Sequence, residues 1–320
     1  MAIVAATHQN ARVRSVATFR PAADAAAYRA ILGTLYERYY QQAAPSLVTS
    51  SHWRSIGWHQ VDRDAKGLYH FRGHGFGDGQ SRSLWYCAKS IPSLYLTRRL
   101  LAAQHAPAAL ISAAKKIARR SDRIFGFDCA KHVLAFATIR AHLPIRPQTI
   151  CVIGDGYGYG GALLQVVWPD ARLISVNLGR TLCFDVAYSA RCRLPAPHLI
   201  EDGGLDDRAR TIFVEAEALH RLEGIPIDLF VNIASMQEMD PPVIAAYFRL
   251  MAGAYFYCCN REEKTLPDGT VVRFVEYPWD DCSVILDERC SWYQRTPTSR
   301  PPFWQTLAGP VRHRLVHFRR

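Results

Sequence analysis

Residues 149–161, Thr-Ile-Cys-Val-Ile-Gly-Asp-Gly-Tyr-Gly-Tyr-Gly-Gly, constrain this chain more than any other segment. A β-branched run stops at Gly154, and glycines recur at 156, 158, 160 and 161. The apolar run 162–168 follows at a spacing suited to a helix. Strand, glycine turn and helix in that order make an α/β unit whose helix begins where a ligand can reach it. Glycine lets the backbone take positive φ and approach a ligand closely. The first helical turn presents unsatisfied N–H groups and a partial positive charge. Such an element marks a nucleotide-type cofactor site before it names the cofactor.

The pattern changes near residue 145. Before it, helical spacing dominates: Tyr28, Ile31, Leu32, Leu35 and Tyr39 share one face of 22–43, Ser93 is placed to cap a helix ending near Gln104, and 107–120 and 128–142 read as two more helices. The intervening 62–83, with its many glycines, reads as an irregular loop. After Pro144-Ile-Arg-Pro147, strands and helices alternate, which predicts a mostly parallel sheet with crossover helices. Strands are expected at 149–153, 172–176, 211–214, 227–233, 254–258 and 314–318, with a turn at Asp268-Gly269 before the β-rich 270–275. The expected architecture is therefore a Rossmann-like α/β domain over 146–320 preceded by a mainly helical cap over 1–145.

Bulk properties narrow the class. With 49% hydrophobic and 21% charged residues, the chain is expected to form a globular protein with a large core. No apolar run is long enough to span a bilayer, and the start lacks a basic region followed by a sustained apolar stretch. Nine cysteines without a CxxC pair fit reduced thiols, so a cytoplasmic location is expected. The net charge of +11 would suit nucleic acid, but the basic residues are dispersed. The densest groups, Lys115–Arg120 and the tail from Arg312, read first as solvated surface, with an anionic substrate or acidic glycan as the functional alternative.

In an open parallel sheet, ligands bind beyond the carboxyl ends of the strands. Those ends supply Asp155 in the glycine loop, Asn177, Glu215 and Glu217, the segment Asn232-Ile-Ala-Ser-Met-Gln-Glu238, and Asn260-Arg261-Glu262. Residues 156–161 satisfy GxGxxG, which keeps a nicotinamide oxidoreductase open. A dinucleotide enzyme carries an acid where this chain has Asn177, and methyl-donor enzymes usually do too, so the position decides nothing.

The fourth-strand segment, Ile227-Asp-Leu-Phe-Val-Asn-Ile-Ala-Ser-Met-Gln-Glu-Met-Asp-Pro-Pro-Val243, resembles the bacterial sugar O-methyltransferases, a family of class I S-adenosylmethionine-dependent enzymes. The Ile-Gly-Asp-Gly-Tyr-Gly loop and Tyr257-Cys-Cys-Asn-Arg-Glu-Glu263 are similar to that family as well, and the resemblance spans roughly 149–290. It implies methyl transfer from S-adenosylmethionine to the hydroxyl of a sugar, free, nucleotide-linked or within a glycan or natural product. Under it, Gly154, Asp155, Gly156, Tyr157 and Gly158 would surround the amino-acid end of the cofactor. Asn177 would face its ribose, and Asn232 would border donor and acceptor. An alcohol is a poor nucleophile at neutral pH, so a base is expected. Glu238 is the first candidate, as base or substrate anchor, and His74 the second. Val152 stands where such first strands carry an acid, so with Asn177 two usual polar anchors are absent. A fold retained only as a binding module is the non-enzymatic alternative.

Other features have plainer readings. Asp240-Pro241-Pro242 is expected to cap and open a helix. His52, His59, His70 and His74 are spaced too irregularly for a metal motif, so no metal is expected. Tyr277-Pro-Trp279 and Trp292-Tyr293 either stack on a sugar ring or pack in the core.

Overall fold

The computed structural model describes residues 25–42, 46, 48–56, 60–72, 84–201 and 204–319. The N-terminal half comprises α1 (Ala25–Tyr36), continued by a π-helical turn Glu37–Gln41, α2 (Ser51–Ile56), the hairpin β1 (Gln60–Arg63) and β2 (Tyr69–Arg72), α3 (Leu84–Ala103), α4 (Ala108–Arg120) and α5 (Phe127–His142). Then come β3 (Thr149–Ile153), α6 (Tyr159–Val167), β4 (Arg172–Asn177), α7 (Gly179–Cys192), β5 (Pro197–Leu199), β6 (Thr211–Glu215), β7 (Leu229–Ile233), α8 (Pro241–Phe248) and β8 (Tyr255–Arg261). The chain closes with the hairpin β9 (Glu263–Thr265) and β10 (Val271–Arg273), β11 (Cys282–Arg289), the hairpin β12 (Arg295–Pro297) and β13 (Trp304–Thr306), and β14 (Val311–Phe318).

Eight strands form one sheet in the order β11-β14-β8-β7-β3-β4-β6-β5. The six strands from β8 to β5 run parallel, and β14 enters antiparallel between β8 and β11. Both faces are covered, which is why these strands read as continuous apolar runs. Ile150, Val152, Leu173, Leu229, Val231 and Tyr257 pack with α4, α5 and α6 on one face. Cys151, Ile153, Ile174, Val176, Phe230 and Phe256 pack with α8 and the Phe274–Trp279 aromatics on the other. This is the Rossmann-like sheet with helices on both faces that the alternating pattern led one to expect. Residues of α3, α4 and α5 share one core with the strands after residue 145, and α1 packs in another with α7 and Phe213 of β6.

Two local expectations differ from the structure. Residues 60–72 form a hairpin rather than loop, because the turn at Asp64–Gly67 is closed by Asp64 Oδ1 accepting from the amides of Lys66 and Leu68, both at 2.9 Å. Ser93 lies inside α3, not at its start; its hydroxyl donates to Ser90 O at 2.9 Å. The helix-opening role of Asp240-Pro241 holds in position, with Pro241 the first residue of α8, but the Asp240 side chain makes no cap hydrogen bond. The cysteines at 129, 151, 183, 192, 258, 259, 282 and 290 are free thiols. Among the described residues no helix is long and apolar enough to cross a membrane.

The N-terminal helix is fastened to the sheet at α7. Arg38 Nη1 donates to Glu215 at 2.6 Å at the end of β6, and Arg38 Nη2 reaches Glu201 at 2.9 Å. The Tyr39 ring covers Gly179, where a Cβ would come within 2.0 Å of it. Gly179→Ala must therefore displace Tyr39 and loosen α1. We expect a loss of about 1–3 kcal/mol, the usual cost of overpacking, measured by urea unfolding, with faster amide exchange confined to 25–41 and α7.

Candidate functional site

Chain order reverses between β3 and β7: the segments after β3 build outward through β4 to β6, and β7 returns to the other side of β3. At such a switch point the loops part and leave a crevice beyond the strand ends. A cavity of about 430 Å³ lies there. Five of the six parallel strands contribute to its lining: Gly154–Tyr157 after β3, Val176–Leu178 at β4, Ala216 after β6, Ile233–Ser235 at β7 and Arg261 at β8. The N-terminal half adds His52 and Trp53 from α2, and Asp128, Lys131 and His132 from α5.

The glycine loop is shaped by packing as much as by any ligand. Gly154 has φ +69°, and a Cβ there would lie 1.9 Å from Ser235 Oγ. Ala234, just after β7, has φ +62°, a strained value for a residue with a Cβ. At Gly160 a Cβ would meet the His132 ring at 2.9 Å and Asp155 Oδ1 at 3.0 Å. Asp155 explains that crowding. Its Oδ1 accepts from Gly160 N at 2.8 Å and its Oδ2 from Gly161 N at 2.6 Å, so the carboxylate closes the N-terminus of α6. Gly158, expected near the cofactor, instead lies against Asp185 and Ser189 of α7. Gly156 and Tyr157 line the cavity, and the Arg123 guanidinium carbon stands 3.6 Å from the Tyr157 ring centroid.

Polar side chains at the strand ends mostly turn inward. Asn232 is fully buried and lies outside the cavity lining. Its Nδ2 donates to Ile153 O at 2.8 Å, while its Oδ1 accepts from Met236 N at 3.1 Å and Asn260 Nδ2 at 2.7 Å. Asn260 Oδ1 in turn accepts from Gln237 N at 3.2 Å, and Gln237 Oε1 from Arg261 N at 2.8 Å. The segment carrying the family resemblance is thus a brace across β3, β7 and β8. Asn177 lines the cavity, but its Nδ2 donates to Asp185 Oδ2 and its Oδ1 accepts from Leu178 N, both at 3.0 Å. Asp185 is fully buried, accepts also from Ser175 Oγ at 3.0 Å, and among the described residues its Oδ1 has no hydrogen-bond partner. Burial, followed by the nearby charge of Asp155, raises its carboxyl well above the ordinary 3.8.

Glu238, also in the cavity lining, is held by Lys264 and His52, two residues from distant parts of the chain. Lys264 Nζ donates to its Oε1 at 2.7 Å, and His52 Nε2 lies 3.4 Å from the same oxygen. Ser50 Oγ donates to Glu238 O at 2.5 Å and seats the start of α2 beside it. Burial alone would raise the Glu238 carboxyl, but the His52 contact and Lys264 outweigh it and hold it below its ordinary range. Lys264, by contrast, is lowered by burial despite Glu238. His132 donates from Nδ1 to Asp128 O at 2.7 Å, and burial with Lys131 nearby lowers its ring. Sequence reasoning passed over His52 and His132 as site residues; His52 entered only as a metal candidate. His74 lies outside the described residues. Of the aromatic candidates, Trp279 packs against Phe256 and Phe274 and donates to Phe274 O at 2.7 Å, Trp292 is buried, and Tyr293 lines the cavity. Among the described residues, no group of three or more metal-ligating side chains converges.

No family model and no curated protein matches the chain. Solved structures resemble the chain at low identity and low TM-score. The O-methyltransferase TomG from Streptomyces achromogenes, solved in complex with SAM, is 15% identical over 71% of this chain and 97% of its own, with a TM-score of 0.40. Coclaurine N-methyltransferase, bound to N-methylheliamine and SAH, is 11% identical over 65% and 74%, with a TM-score of 0.38. Cofactor-bound Rv0187 from MTB is 13% identical over 67% and 91%, also at 0.38.

The raised Asp185 carboxyl has a consequence for stability. An acid held more tightly protonated in the folded state stabilises it below the unfolded value, here 3.8, and that contribution is lost as pH rises toward the folded value. Asp185→Asn removes the titrating group. Its stability relative to the parent should therefore improve steadily from about pH 4 toward neutrality, read as urea midpoints at successive pH values. A constant difference across that range would show that Asp185 does not titrate as described.

Proposed function

We propose that the chain is an S-adenosylmethionine-dependent methyltransferase acting on a sugar hydroxyl. The observation that supports this cofactor over a dinucleotide is the Asp155 carboxylate on the α6 N-terminus. A pyrophosphate needs those amides, and here they are already bonded to an anion that would repel it. A cofactor carrying a sulfonium cation meets no such conflict. The lining fits it: Asp155, Gly156 and Tyr157 would take its amino-acid end, and the flat, apolar surfaces of Val176, Leu178 and Ala216 would take its base. Asn177 offers the ribose no free carboxamide, because both ends of its amide are engaged.

When bound, the cofactor supplies an already activated methyl group, so the protein's work is alignment and removal of the hydroxyl proton. His52 is the base we assign. Its Nε2 faces Glu238, which leaves the other ring nitrogen to receive the proton. Glu238 is a positioning residue: ionised, and fixed by Lys264, it orients the ring and stabilises the imidazolium once formed. The lowered carboxyl of Glu238 makes it a weaker base than its place in the cleft suggests. The sugar specificity rests on the motif resemblance alone.

Calorimetry tests the cofactor. S-adenosylhomocysteine should bind and NADH should not; the reverse result ends this reading, and binding of neither favours a non-catalytic module. With the cofactor established, His52→Gln should lower turnover by about 10²–10⁴-fold while leaving S-adenosylhomocysteine affinity unchanged. Glu238→Gln should lower it less and shift the pH profile of the reaction. Unchanged turnover in His52→Gln would exclude His52 as the base.

A further inference from the structure

We infer that the methyl acceptor carries an anionic group, a carboxylate or a phosphate, that pairs with Arg261; this rests on the methyl-transfer reading above. Every other charged side chain of the cavity already has a partner. Lys131 Nζ is 2.9 Å from Asp128 Oδ1, Lys264 Nζ is 2.7 Å from Glu238 Oε1, and Asp155 closes the α6 amides. Arg123 lies over the rings of Tyr157 and Tyr188, at 3.6 and 4.7 Å. Arg261 differs. Its backbone N–H is held by Gln237, but among the described residues its guanidinium makes no hydrogen bond or ion pair. The acids next to it in sequence are taken, Glu262 by Arg289 at 3.1 Å and Glu263 by Arg273 at 2.8 Å.

The surroundings sharpen the point. Arg261 is within electrostatic reach of both Lys264 and Tyr293. Two cations therefore stand close together in the cavity, and of the two only Lys264 is bonded to Glu238, which leaves Arg261 to an incoming anion. A guanidinium fork matches the paired oxygens of carboxylate and phosphate. A neutral sugar would leave it without a partner. Arg261 ends β8 beside Gln237 and Glu238, at the end of the cavity where the hydroxyl proton is removed, whereas the glycine loop follows β3. That placement assigns it to the acceptor rather than to the cofactor. The acceptor class is then a uronic acid or a phosphorylated sugar.

The test titrates the protein, saturated with S-adenosylhomocysteine, with glucuronic acid, glucose 1-phosphate and glucose. At least one anionic probe should bind about tenfold or more tightly than glucose, as a charge-assisted contact gives, and which one does separates carboxylate from phosphate. Arg261→Gln should reduce that probe to the level of glucose, Arg261→Lys should keep part of the preference, and both should bind S-adenosylhomocysteine as the parent does. Equal or absent binding of all three probes to the parent, or an Arg261→Gln protein that keeps the preference, overturns the inference while the cofactor reading stands. Loss of S-adenosylhomocysteine binding in Arg261→Gln also overturns it, by placing Arg261 on the cofactor. If the parent itself binds no S-adenosylhomocysteine, the methyl-transfer reading fails and this inference falls with it.

Discussion

One buried carboxamide holds the ligand end of the sheet together. Asn232 ties the last carbonyl of β3 to the turn after β7 and, through Asn260, to β8. Strand ends diverge at a reversal of chain order, and their backbone groups would otherwise be left without partners away from water. A side chain with two donors and one acceptor atom of two lone pairs can serve three strands from one point. The Gln237 and Arg261 backbones hang from the same network, so the segment after β7 and the end of β8 share a support. A buried network of this kind is firm when complete and costly when broken.

The glycine loop has a comparable double character. Its sequence suits a phosphate-binding turn, yet Asp155 fills the helix N-terminus from within the chain. Burial first, and then the nearness of that same carboxylate, raise the carboxyl of Asp185. Asp155 disfavours an anion at the glycine loop, while beside β8 Glu238 is taken by Lys264 and Arg261 has no ion pair among the described residues. A cationic donor and an anionic acceptor would complement the two ends, which is a more specific statement than the +11 net charge of the chain allows.

The architecture was legible because burial on both faces of a parallel sheet writes itself as short apolar runs. The strands at 149–153, 172–177 and 211–215 match the sequence reading to within a residue. Where the pattern is weaker the reading slipped: glycines in 62–83 concealed a hairpin whose closure depends on the side chain of Asp64, and Ser93 looked like a cap although α3 begins nine residues earlier. The polar site was less legible for a different reason. Asn177 and Asn232 sit at strand ends where an amide can face ligand or backbone with equal chemical sense, and only the positions of Asp185 and Asn260 show which. His52 approaches Glu238 from 186 positions away, a proximity that no local pattern records.

The place of β14 bears on how such a site comes into being during synthesis. Strand β8, which ends in Arg261, has β7 on one side and β14 on the other, and β14 is made after every other strand of the sheet. A nascent chain emerging N-terminus first can assemble the glycine loop and its helices while β8 is still an exposed edge. The β8 end of the cavity is therefore finished after the glycine loop, and until then that edge is open to wrong strand pairing.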